Sequence, residues 1–437
     1  MNLRLQAKWL AAIAVVGVLG ASVFGQEWSS VSSTDSLSYA EGQVAGSVNR
    51  FGIKVFQELV KRTPGTENVL ISPVAVASAM GLLYNAAEGE TRREIQEALK
   101  LYLLEPDEIN RAFGSLRQRL MKADDRANVR LAASLWAGRG KELRPEYVDL
   151  ATDFFDAEVG LLDLRAKSDV ERINAWCDRA TNGMIKRIVE PPLSQGTAAI
   201  LLNTAYFKSL WTYPFDSAKT VVDTFTLSDG STRSCQMMWL TEEDCLLDQP
   251  NNWIKRTDSR ISIHADPSLV VLGLPYGNGA YRMTIVGPTE HYDWEHAPVV
   301  DINEVISALT IEKFRDWQKT NHDRMFVLGL PRLSFETASA LGPVLREVGI
   351  KSAFDCVRAD LGGLFPDKTG WVEQVNQKAR IRVDETGTEV AEVVQTVFAD
   401  SIPPMLRCNR PFMIVISEKS TGLILFIGRI GNPEWDA

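Results

Sequence analysis

Hydrophobic positions along this chain change period repeatedly. Val48, Phe51, Val55 and Leu59 recur at helical spacing. The stretch NVLISP (68–73) then reads as a short strand ending at Ser72-Pro73, where Ser as N-cap with Pro at the first turn predicts a helix start. The following run, VAVASAMGLLYNAAEG, is rich in small residues, so it suits a helix lying close against the back of a sheet. TRRE (91–94) has a capping-box pattern that predicts another helix through Leu99. Phe113, Leu116 and Leu120 place a further helix under the basic run 111–122.

Three later runs, 131–138, 199–211 and 269–277, are apolar and β-leaning without alternation, as expected of strands covered on both faces. Residues 224–239 predict a hairpin turning at Asp229-Gly230. MFVLGLPRLSFE (325–336) reads as one strand, followed by a helix over 339–350, and residues 412–430 read as a closing hairpin of two buried strands. Many long strands mixed with helices, without regular strand–helix alternation, predict an α+β fold with more than one sheet.

The start of the chain differs. Arg4 and Lys8 precede an apolar run, Trp9 to Phe24, and small residues follow, a pattern expected of a secretory signal peptide over residues 1–25. The Ser-rich stretch that follows predicts a disordered leader over 26–43, with one folded domain over 44–435. The 437 residues are 45% hydrophobic and 24% charged, a globular balance with a formal net charge of −9. Without Arg4 and Lys8 the charge is about −11, a sign that repels nucleic acid and anionic membrane. Five dispersed cysteines (177, 235, 245, 356, 408) form no CxxC and predict mostly free thiols.

Candidate catalytic chemistry is sparse. There is no GxSxG, HExxH or phosphate-binding loop. His264 neighbours Asp266 without an evident nucleophile, and the histidines of EHYDWEH (290–296) lie five apart, off any common helix face. Glu242-Glu243 is an ordinary surface pair. The chain is therefore expected not to be an enzyme, and to need neither metal nor other cofactor.

One segment resists a simple reading. DETGTEVAEVVQTVFADSIPP (384–404) lies between two strand-like runs and is itself strand-prone, yet it carries scattered acids and a Pro403-Pro404 pair that a central strand excludes. About 20 structureless residues between strands would be unusual for a static connection.

Seven fragments in fixed order resemble the serpin family: NVLISPVAVASAMGLLYNAAEGETRREI, INAWCDRATNGMI, LLNTAYFKSLWTYPFD, LPYGNGAYRMTI, ADLGGLF, VDETGTEVA and NRPFMIVI…FIGRIGNP. The likeness spans about residues 45–435 and implies three β-sheets with eight or nine helices, in a secreted, bacterial-type, monomeric member. It further implies an exposed reactive-centre loop, about 385–408, that a target protease cleaves. The protease is then trapped as an acyl-enzyme while the loop inserts into the largest sheet. Glu385, Gly387, Thr388, Glu389, Val390, Ala391 and Glu392 match the hinge. Ser72, Asn203, Trp211 and Gln377 match the regions that control sheet opening, termed shutter and breach.

The chain departs from the inhibitory pattern in places. Val390, Glu392 and Val393 stand where small residues are usual, Ala75 where a second Ser is common, and Gln377 where a His is common. Strand alternation puts Thr388, Val390, Glu392, Val394, Thr396 and Phe398 on one face, turned inward by family analogy. An unpaired buried Glu392 would cost several kcal/mol, against about a dozen new backbone hydrogen bonds at ~1 kcal/mol each. Counting back from the Pro pair places the scissile bond at Asp400-Ser401; counting forward from Glu385 gives Ser401-Ile402. The expected function is a secreted inhibitor of serine or cysteine endopeptidases. The alternative is a non-inhibitory serpin acting as protease substrate, binding protein or chaperone.

Overall fold

The computed structural model describes residues 36–163, 166–189, 199–247, 256–257, 261–265, 268–288, 300–319, 326–368, 370–387 and 405–435. From the start these hold α1 (Tyr39–Arg62), β1 (Val69–Ile71), α2 (Pro73–Ala86), α3 (Gly89–Leu99), α4 (Pro106–Lys122), β2 (Asn128–Gly138), α5 (Pro145–Phe155), β3 (Ala157–Leu162), α6 (Lys167–Ala180) and β4 (Ala199–Lys208). Next come β5 (Val221–Thr226), β6 (Thr232–Thr241), β7 (Leu246–Leu247), β8 (Arg256–Thr257), β9 (Ser262–Ala265), β10 (Leu269–Tyr276), β11 (Tyr281–Pro288), α7 (Ile302–Ser307) and α8 (Ile311–Trp317). The chain then forms β12 (Val327–Pro331), β13 (Leu333–Ala340), α9 (Gly342–Glu347), β14 (Val372–Val383), β15 (Met405–Arg407), β16 (Phe412–Glu418) and β17 (Ile424–Ile430). The architecture is α+β, with three sheets and a minor β7–β8 ribbon.

Several expectations shift in detail. The first helix begins at Tyr39, inside the stretch assigned to a leader over 26–43, because Ser38 and Glu41 form a reciprocal capping box. Thr91 does not cap α3; the helix starts at Gly89, and the Thr91 hydroxyl instead meets Ser352 Oγ and the Asp360 amide, both at 3.1 Å. The run 325–336 is not one strand. It breaks at Pro331-Arg332, and β12 and β13 belong to different sheets. Residues 339–340 extend β13, so the next helix starts only at Gly342.

The largest sheet positions the site. Its order is β13-β14-β4-β2-β3. β14 and β4 run parallel at its centre, with Gln377 opposite Asn203. Strand alternation divides the residues of β4 between two cores. Ile200 and Leu202 join Trp136, Ile173 and Trp176 in a core beneath α6. On the other face Asn203 lies at the level of Ser72, the N-cap of α2, and the small side chains of α2 allow the close approach. The second sheet (β1-β17-β16-β11-β10-β9) holds the continuous apolar strands, and every residue of β10, β16 and β17 is buried. The third sheet has the order β15-β12-β6-β5.

None of the five cysteines is in a disulfide; Cys356 is exposed and the other four are buried. Among the described residues no helix is long and apolar enough to cross a membrane, and no three His, Cys, Asp or Glu side chains cluster as metal ligands. His264 is exposed on β9, while Asp266 and residues 290–296 lie outside the described residues.

Candidate functional site

The site is built on the central parallel pair. Pairing between β14 and β4 ends at Ala379 opposite Ala205. Each strand continues past this point and keeps its outer partner, β14 to Val383 against β13 and β4 to Lys208 against β2. The two inner edges therefore part at one end of the sheet. A cleft of about 310 Å³ opens there, lined by Tyr206, Phe207, Ile381, Phe426, Arg380 and Gly387 among others.

Midway down the same seam lie three of the expected residues, all almost fully buried. The Ser72 amide donates to Gln377 Oε1 at 3.0 Å. Gln377 Nε2 donates to Asn203 Oδ1 at 2.8 Å and to the Ser72 carbonyl at 3.3 Å. Ser72 Oγ caps α2 by accepting from the Ala75 amide at 3.3 Å. Gln377 thus supplies both an acceptor and a donor and ties the helix start to both strands. Asn203 Nδ2 is buried without a partner.

Trp211 sits higher, beyond the end of β4. Its ring stacks on Tyr276 with centroids 4.2 Å apart, and Nε1 donates to the Asp384 carbonyl at 3.0 Å. The Trp211 amide donates to the Thr386 carbonyl at 3.0 Å, and the Phe215 amide to the Glu385 carbonyl at 2.7 Å. The chain leaving β14 is therefore held by three successive carbonyls. A turn follows, in which Asp384 Oδ1 accepts from the Thr386 amide and hydroxyl. Gly387 has φ +83°, and a Cβ there would lie 2.4 Å from the Trp211 nitrogen, so only glycine fits.

Glu385 is the charged anchor. Arg332 grips its carboxylate with Nε at 2.8 and 3.0 Å and a terminal nitrogen at 2.6 Å, and Thr220 Oγ1 donates at 2.6 Å. Burial alone would raise its pKa, but the Arg332 and Thr220 hydrogen bonds outweigh that and hold it below the usual carboxylate range. At the other end of the loop, Arg407 of β15 forms a bidentate pair with Asp223 of β5. The Asp223 carboxyl is lowered chiefly by that hydrogen bond.

Glu385, Gly387, Ser72, Asn203, Trp211 and Gln377 thus fall in two linked groups along one seam. Thr388, Glu389, Val390, Ala391, Glu392, Asp400, Ser401 and Ile402 lie outside the described residues. Sequence reasoning missed Arg332 and Thr220. Arg332 had one available signal, a charge directly after Pro331 inside an apolar run; Thr220 had none.

A three-sheet α+β fold with an anchored connection leaving its central parallel pair defines the class: the serpin family profile, described as serine protease inhibitor, matches residues 46–433, and this chain belongs to that family. Its members act as inhibitors rather than catalysts. The chain is 32% identical over 408 residues to plasminogen activator inhibitor 1 of Bos taurus, covering 91% of this chain and 95% of the relative. It is 26% identical over 410 residues to an uncharacterized serpin-like protein of Methanosarcina acetivorans, covering 92% and 89%. Human thyroxine-binding globulin shares the fold with a TM-score of 0.77 at 23% identity, covering 91% of this chain and 100% of that one. None of these relatives bears on the bacterial type expected from the sequence.

Proposed function

We propose that this chain is a secreted, monomeric inhibitor of serine or cysteine endopeptidases that acts once, as a suicide substrate. The observation that carries the reading is the parted central pair, with residues 384–387 fastened beside the gap. β14 and β4 are parallel, so a segment that turns back from β14 at Gly387 runs antiparallel to both. It would meet two free strand edges, the situation for strand addition of which serpin loop insertion is a known case. The reactive bond is Asp400-Ser401, with Ser401-Ile402 as the alternative, and Glu385 to Glu392 form the hinge. The signal peptide over residues 1–25 supports secretion. A plasminogen activator inhibitor and a leukocyte elastase inhibitor among the relatives support a protease partner.

Incubation with a panel of serine and cysteine proteases tests this. The expected result is a complex stable to SDS with at least one of them, together with a released fragment that mass spectrometry shows to begin at Ser401. Cleavage in the loop without any such complex overturns the reading. The non-inhibitory alternative is favoured by Val390, Glu392, Ala75 and Gln377. It predicts that loop-cleaved protein melts no higher than intact protein.

A further inference from the structure

The segment after β17 lies against the hinge anchor. Asn68 holds it through hydrogen bonds with the Gly431 and Asn432 amides at 2.9 Å and the Asn432 carbonyl at 2.8 Å. The Ser334 amide, at the start of β13, then donates to the Glu434 carbonyl at 2.7 Å. Trp435 follows, with the Arg382 guanidinium 4.5 Å from its ring centre and the Arg332 guanidinium 5.4 Å away. Both distances fall within cation–π range.

Arg382 reaches the hinge from β14, and Arg332 from the position directly before its neighbour β13. Ser334 is the register partner of Arg382, which puts Arg332 and Arg382 on neighbouring edges as like charges. Arg332 grips Glu385, and Arg382 Nε lies 3.6 Å from Asp384 Oδ2. An indole within reach of two guanidiniums offers them its negative π-system and limits the rotamers of both. Glu385 is buried there, while Arg332 is a quarter exposed.

We propose that Trp435 is a positioning residue for the loop hinge: it holds Arg332 and Arg382 in the orientation that engages Glu385 and Asp384, so the segment after β17 sets how readily the hinge is released. The function of that release rests on the insertion reading above; the hinge contact itself does not.

Two measurements separate the two ideas. Hydrogen exchange in the peptide containing the Trp211 and Phe215 amides, which donate to the hinge carbonyls, reports hinge release without any insertion. Trp435→Ala should speed that exchange about five- to thirtyfold, the effect of two exposed cation–π contacts. Trp435→Phe should restore most of the protection, and Arg382→Gln, which leaves Trp435 in place, should move exchange in the same direction. In a Glu385→Gln background the Trp435→Ala effect should fall to about threefold or less, as coupled residues require. Unchanged exchange in Trp435→Ala, or an undiminished effect in the Glu385→Gln background, overturns the proposal. Separately, uptake of a synthetic peptide of residues 388–399, read as a mobility shift and a raised melting temperature, should be faster in Trp435→Ala. If the wild-type protein takes up no peptide, the insertion reading fails while the exchange data still decide the role of Trp435.

Discussion

Replacing Glu385 by glutamine keeps the shape of the hinge anchor and removes its charge. Three close contacts from Arg332 to the Glu385 carboxylate are charge-assisted in the native protein. A hydrogen bond to a charged group contributes about 1.5–3 kcal/mol and a neutral one about 0.5–1.5, so the pair as a unit loses roughly 2 kcal/mol. Full loss of a buried pair would cost more, about 3–5 kcal/mol, but water reaches Arg332 and softens the change. If the contact is absent when the hinge opens, the whole loss appears as a faster opening rate, about thirtyfold at pH 7. The assay is the uptake rate of the 388–399 peptide at several pH values. Acid adds an internal control. The folded pKa of Glu385 lies below its unfolded value, so the clamp is complete above about pH 4.3 and is lost as pH falls through the lower folded value. Glutamine has no such proton to gain. The two proteins should differ at pH 7 and converge in acid. Equal rates at pH 7, or a difference that does not shrink as the pH falls, refute the reasoning.

Three further outcomes follow from the same seam. Gln377→Ala leaves the Ser72 amide and Asn203 Oδ1 without their buried partner, an expected loss of about 2–4 kcal/mol in urea unfolding; a loss under about 1 kcal/mol would show that water replaces the side chain. Gly387→Ala drives a Cβ into the Trp211 nitrogen at positive φ, so melting should fall by an amount equivalent to about 2 kcal/mol or more, and an unchanged melting temperature contradicts the glycine argument. Glu392→Ala should raise the fraction of protease trapped over that released, since a buried carboxylate no longer opposes insertion; an unchanged partition means that Glu392 finds a partner or stays outside the sheet.

Much of the fold was legible in the sequence because its signals are local. Ser72-Pro73 capped a helix as expected, and the unbroken apolar runs at 199–208 and 269–276 became strands covered on both faces. Errors arose where apolar pattern could not show which sheet a residue joins. The run 325–336 has one pattern across two sheets, and only the break at Pro331-Arg332 separates them. The family resemblance singled out Glu385, Gly387, Asn203 and Gln377, which the structure places along the seam of β14 and β4. Arg332, Thr220 and Trp435 were not singled out. Their roles come from distant chain segments meeting in space, and a lone Arg or Thr outside any periodic pattern carries no local mark of its partner.

The break at Pro331-Arg332 also makes one strand answer to both ends of the loop. β12 pairs with β15 from Val327 to Gly329, and the Cys408 amide donates to the Gly329 carbonyl at 2.8 Å. Directly after β12, the backbone of Arg332 is bonded to Gln236 of β6 while its side chain grips Glu385. The described residues that flank 388–404 on either side are therefore both fixed to a single strand. A load placed anywhere along that span divides between Glu385 and Arg407, and the relative strength of these two fixings decides which end yields first.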